Sequence, residues 1–182
     1  MKQILCFGDS NTYGLIPGTK DRYDWDTRWS GRIGQRLWED GCRIVEEGLC
    51  GRTTVFDDPL RDGRRGTELL SVILETHKPV DVVVLMLGTN DCKTMYDTSA
   101  EVIGRGVERL LDQIRSSTPD SKILLMSARA LARQGTIPNL MRAPLRCQSG
   151  CRRFTGGSRM SGAFRFWRHP HMQSQVRKTE ST

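Results

Sequence analysis

The sequence is short of several things, and each shortage removes a class of explanation. No apolar run approaches the roughly 18 residues of a membrane-spanning helix, so no membrane partner is expected. The opening Met-Lys-Gln-Ile-Leu-Cys-Phe-Gly-Asp has too brief an apolar stretch for a secretory leader, which makes the cytoplasm the expected compartment. Without a leader, the six cysteines at 6, 42, 50, 92, 147 and 151 read as free thiols rather than a disulfide framework. Neither Gly-x-Gly-x-x-Gly nor a P-loop occurs, which argues against a nucleotide or flavin binder. Histidine is scarce: the three are His77, His169 and His171. No aspartate follows Asp120.

Acids as a whole are missing from the last third. The net charge of +7 over 182 residues suggests a nucleic-acid partner until it is divided. Residues 1–120 carry 16 Lys/Arg against 20 Asp/Glu, a net of −4. Residues 121–182 carry 12 Lys/Arg and one acid, Glu180, a net of +11. The body is mildly acidic, and the basic character belongs to the end.

Residues 1–127 alternate strand and helix. Gln3 to Phe7, Arg43 to Glu47, Val80 to Leu87 and Lys122 to Met126 read as strands. The third is apolar enough to be buried on both faces, as central parallel strands are. Trp29, Ile33 and Leu37 lie on one face of a helix through RWSGRIGQRLWED that Gly41 closes. A second helix runs through GTELLSVILETH. A third runs through DTSAEVIGRGVERLLDQIRSS, with Thr98 and Glu101 as a capping box. Such alternation predicts one α/β domain: a three-layer, flavodoxin-like parallel sheet with right-handed crossovers.

Ligands in such sheets bind beyond the carboxyl ends of the strands. There the sequence places Gly8-Asp9-Ser10-Asn11, then Glu-Gly-Leu-Cys-Gly-Arg-Thr-Thr with Gly51 inside it, then Gly88-Thr89-Asn90-Asp91. A hydroxyl, a bare glycine N–H and a carboxamide are the equipment of acyl transfer: a nucleophile and donors for an oxyanion. Plainer roles stand beside these: a helix cap for Ser10, a turn for Gly51, a turn or helix start for Asn90. Asp9 and Asp91 read as acceptors that order loops rather than as acids or bases. Trp25 and Trp29 could line a pocket or pack the core.

FGDSNTYG, GLCGRTT and LGTND, in that order and each after a predicted strand, resemble the three blocks of the SGNH, or GDSL, serine esterases. RWSGRIGQRL and IVEEGLCGRTT look like its arylesterase and acyltransferase branch. The resemblance spans residues 1 to about 127. It implies that Ser10 attacks an ester carbonyl and that the Ser10 and Gly51 N–H groups and the Asn90 side chain hold the oxyanion. It implies short-chain or aryl ester substrates, with no cofactor and no metal.

The family's base is a histidine near the C-terminus with an aspartate three residues before it. No Asp-x-x-His follows Ser127. His77 precedes the third strand, at the wrong end of the sheet, and His169 and His171 have no upstream carboxylate nearby. The family's fifth strand and last helix have no counterpart in the sequence, so the fold is expected to be C-terminally incomplete. Residues 128–182 read as a basic, low-order tail. With CGN codons for arginine, Phe164-Arg165-Phe166-Trp167 shifted by two bases becomes Ser or Pro, an apolar residue, then Leu. We therefore read the tail as a candidate frameshifted segment. An alternative is a non-catalytic module whose arginines, with Phe154, Phe164, Phe166 and Trp167 among them, bind nucleic acid. Cys147, Cys151, His169 and His171 fit no common zinc spacing.

Overall fold

A computed structural model of the chain describes residues 1–126. The tail, with its cysteines, histidines and aromatics, lies outside the described residues. Four parallel strands form one sheet in the order β2-β1-β3-β4: β1 (Lys2–Gly8), β2 (Cys42–Gly48), β3 (Val82–Met86) and β4 (Lys122–Leu125). The helices between them are α1 (Ser10–Tyr13), α2 (Trp29–Leu37), α3 (Gly66–Thr76) and α4 (Ala100–Ser117). This is the expected flavodoxin-like order, and each expected strand is present with no end moved by more than two residues.

Alternation along the strands sorts the core into two clusters. Leu5 and Phe7 of β1 and Val83 and Leu85 of β3 face α3 and α4, against Leu70, Leu74, Leu110 and Ile114. Ile4, Cys6 and Val84 face the other way, against Trp29 and Leu37 of α2. Helices on both faces make the three layers. Burying each leucine of the first cluster contributes roughly 1.5–3 kcal/mol, and Leu5, Leu70, Leu74, Leu85 and Leu110 are wholly buried.

Two local expectations need correction. The capping residue of α4 is Ser99, which accepts from Val102 N at 3.3 Å, one residue later than the Thr98–Glu101 pairing. Glu101 instead accepts from Arg105 at 2.7 Å. On α2, the residues most deeply buried are Ser30, Gly31 and Gly34, not Ile33. Trp25 packs over Gly31 and Gly34, and Ile44 of β2 approaches Gly34, so the helix sits on the sheet through its small residues. It ends at Leu37; Gly41 then turns back with φ 71° and donates to Trp38 O at 3.0 Å.

Candidate active site

The register sets three loops side by side. Gly8 pairs with Gly48 of β2 and with Met86 of β3, so the chain leaves three adjacent strands at one level. Beyond β1, Asp9 Oδ1 accepts from Asn11 N at 2.9 Å and Asn11 Nδ2 at 3.0 Å. Asp9 is therefore the cap, and Ser10 is the first helical residue. Capping leaves the Ser10 hydroxyl uncommitted: it makes no hydrogen bond among the described residues, and neither does Ser10 N–H. α1 is a single turn, so the local N–H groups matter here more than a helix dipole. Gly48 lets α1 approach, since a Cβ there would collide with the backbone of Thr12 and Tyr13.

Beyond β2, Leu49 N donates to Gly8 O at 3.1 Å, and Arg52 N closes a turn onto Leu49 O at 3.0 Å. Gly51 occupies the third turn position with φ 87°, where a side chain is strained. Its N–H has no partner among the described residues. Arg52 is 3% exposed and reaches back beneath the turn, donating to Gly8 O at 3.0 Å and to Glu47 O. Its guanidinium lies 4.1 Å from the centre of the Phe7 ring. Burial pushes Arg52 down to about 10.

Beyond β3, Asn90 opens a short 3₁₀ turn, Asn90–Cys92. Its Nδ2 donates to Arg52 O at 3.0 Å, which anchors the carboxamide beside the Gly51 turn. A primary amide has two N–H bonds, so the second remains for another acceptor. Buried Asp91 accepts from Thr54 N at 2.9 Å and from Thr54 Oγ1 at 2.5 Å. Burial raises the Asp91 carboxyl above the usual range, opposed by the Thr54 bonds. Burial likewise raises Asp9, opposed by Asn11 and Thr89.

Ser10, Gly51 and Asn90 thus lie on one rim, and side-chain bonds lace the second and third loops together. Gly51 and Asn90 also fill their plainer turn roles, but these use neither the glycine N–H nor the second amide N–H. Asp9 and Asp91 are loop-ordering acceptors, as expected. Arg52 and Thr54 were not singled out by sequence; the Arg-Thr-Thr after Gly51 carries no local mark of burial. Trp29 packs against the core and Trp25 against α2, Trp25 flanking a surface groove with Trp38, Cys42 and Ile44 near the start of β2. His77 is the only histidine among the described residues. Its backbone carbonyl is bonded by Gln3 near the start of β1, and its ring faces Ile73 O at 2.8 Å and Glu47 at 3.7 Å.

A family model of GDSL-like lipases and acylhydrolases matches residues 6–156, past the last of the three blocks. The chain belongs to this family. Among solved structures, a carbohydrate acetylesterase from Sinorhizobium meliloti is 37% identical with a TM-score of 0.66, over 69% of this chain and 63% of that one. The M. smegmatis aryl esterase is 38% identical with a TM-score of 0.66, over 69% and 63%. AlinE4, an SGNH-hydrolase family esterase, shares the fold at 23% identity and a TM-score of 0.51, over 69% and 58%. This GDSL-like chain therefore spans less than two thirds of each of those proteins. No curated protein matches it. Among the described residues, no helix is long and apolar enough to cross a membrane.

Proposed function

We propose that this GDSL-like chain is a serine hydrolase of carboxylic esters, short-chain or aryl, with water or an alcohol accepting the acyl group. Ser10 Oγ attacks the carbonyl carbon, and the carbonyl oxygen takes up the electron pair. That oxyanion is received by the N–H groups of Ser10 and Gly51 and the free N–H of Asn90. Collapse expels the alcohol, which carries away the Ser10 hydroxyl proton, and leaves an acyl-Ser10 ester; water or a second alcohol then cleaves this ester and returns a proton to Ser10 Oγ. The observation that carries this reading is the Asn90 bond to Arg52 O, which holds a carboxamide at the Gly51 turn before any substrate arrives. The esterase relatives named above support the substrate class.

Ser10 needs a proton acceptor to become a strong nucleophile. The described residues place no histidine backbone on this rim; His169 and His171 lie beyond both the described residues and the family match. Turnover of p-nitrophenyl acetate by the full chain, compared with Ser10→Ala, tests the proposal alongside fluorophosphonate labelling. Ser10-dependent turnover with the label on Ser10 is expected. Equal rates and an unlabelled Ser10 would overturn it.

A further inference from the structure

The loop between β2 and α3 is unusually rich in arginine, and its ion pairs do not balance. Arg65 is paired with Asp57. Arg61 is paired with Asp58, through bonds of 2.8 and 3.1 Å. Arg64 has no carboxylate: its Nε donates to Cys50 O at 3.0 Å and its Nη1 to Asp62 O at 2.6 Å. Lys93 Nζ approaches Asp58 at 3.9 Å, an oxygen that Arg61 already occupies. Arg61 and Lys93 thus share the Asp58 carboxylate, and Arg64 has no carboxylate within ion-pair distance among the described residues. Asp91 also faces Lys93, but it is buried and its oxygens are taken by Thr54.

All three cations adjoin the oxyanion donors. The Arg61 guanidinium lies where a Cβ on Gly51 would be. Arg64 binds the carbonyl of Cys50, one residue before Gly51. Lys93 follows the Asn90 turn, its backbone N–H donating to Asn90 O at 3.2 Å, and its Nζ reaches the Asp58 oxygen that holds Arg61. Burial, then Arg61, lowers the Lys93 ammonium; Asp58 and Asp91 oppose this and Arg64 adds to it, so the net shift is downward. The Arg64 donors left over and the Lys93 ammonium, 3.9 Å from Asp58, are placed to take a further anion. Phe56 and Tyr96 stack beside this cluster at 4.9 Å, and Tyr96 N donates to Lys93 O at 3.1 Å. A flat ring and a negative charge could be met on the same wall.

We infer that this wall selects esters that carry a carboxylate, aryl esters above all, with Arg64 and Lys93 receiving the charge. The inference rests on the Ser10–Gly51–Asn90 reading for the position of the ester bond. Guanidinium and ammonium groups bind carboxylates through charge-assisted hydrogen bonds, and Arg64 still has donors to give.

The test uses the full chain with Ser10→Ala, so that ligand is not consumed. Calorimetric binding of para-acetoxybenzoate is compared with that of its neutral methyl ester. The carboxylate should bind at least about tenfold tighter, the scale of one charge-assisted bond. Adding Arg64→Gln and Lys93→Gln should erase the preference, bringing the carboxylate and the methyl ester to within about twofold of each other. Added salt should compress the preference too. Equal affinities, a preference that survives both substitutions, or binding of neither ester would each overturn the inference. Wild-type p-nitrophenyl acetate turnover is scored separately. Ser10-dependent turnover with no carboxylate preference keeps the esterase reading and rejects this one; a carboxylate preference without Ser10-dependent turnover rejects the esterase reading and, with it, the selection of esters, leaving only an anion-binding surface.

Discussion

Asn90→Ala separates catalysis from architecture at this rim. The carboxamide has two tasks: one N–H goes to Arg52 O at 3.0 Å, and the other is assigned to the oxyanion. Loss of the first is a half-exposed hydrogen bond that water can replace, about 1 kcal/mol or less of stability. Loss of the second removes a donor used only when charge develops, about 2.7–4 kcal/mol of barrier, or roughly two to three decades in kcat. KM should change little. The assay is initial-rate turnover of p-nitrophenyl acetate with Ser10→Ala as the zero, and a thermal melt to confirm folding. The ratio holds even if no base assists Ser10. In a well-studied serine protease, loss of a triad member leaves roughly 10³–10⁴-fold over water, supplied by binding and the oxyanion hole. Asn90→Ala would consume most of such a remainder. Asn90→Asp should be worse, because it has no N–H and adds a like charge. If Asn90→Ala keeps kcat within about threefold while Ser10→Ala abolishes it, Asn90 is a turn residue and the oxyanion assignment is wrong.

The other expectations concern placement and packing. Gly48→Ala sets a Cβ against the backbone of Thr12 and Tyr13, so α1 must shift. Misplacing a nucleophile by about 1 Å can cost roughly a hundredfold, so fluorophosphonate labelling of Ser10 should slow by more than melting would explain. Gly51→Ala forces φ 87° on a side chain and crowds Arg61; about 1–2 kcal/mol should be lost in urea unfolding. Leu74→Ala empties a wholly buried position between α3 and the sheet, and should cost about 2–5 kcal/mol by the same measurement. Asp9 and Asp91 are raised in the folded state by burial. The fold therefore holds protons that the unfolded chain releases. Their contribution is complete below the ordinary carboxylate range and is lost as pH rises toward the raised values. Asp91→Asn should flatten that fall in a series of denaturant midpoints taken from acid to neutral pH.

The fold was legible because its signals are local. Val82 to Leu87 is an apolar run bounded by Asp81 and Gly88, and β1 alternates between two cores within seven residues. Helix faces were read less well. Trp29, Ile33 and Leu37 have helical spacing, but close approach to Ile44 and Trp25 favours the glycines of α2, and a hydrophobic pattern is blind to that. The capping error at Thr98 arose because Ser99 offers the same chemistry one residue on. At the rim, Ser10, Gly51 and Asn90 stood out because each follows an apolar strand and breaks its pattern. Arg52 to Gly8, Asn90 to Arg52 and Asp91 to Thr54 span 44, 38 and 37 residues, and bonds at that range leave no mark on neighbouring letters.

The Arg52 side chain ties one strand exit to another, and its carbonyl receives a third. The relative placement of the three rim loops that carry Ser10, Gly51 and Asn90 is thus governed by a few internal ties. Most of the segment from residue 57 to 63 lies outside that brace. A lineage could rewrite the exposed residues of this outer segment, Asp58 and Arg61 aside, without disturbing how Ser10, Gly51 and Asn90 sit relative to one another.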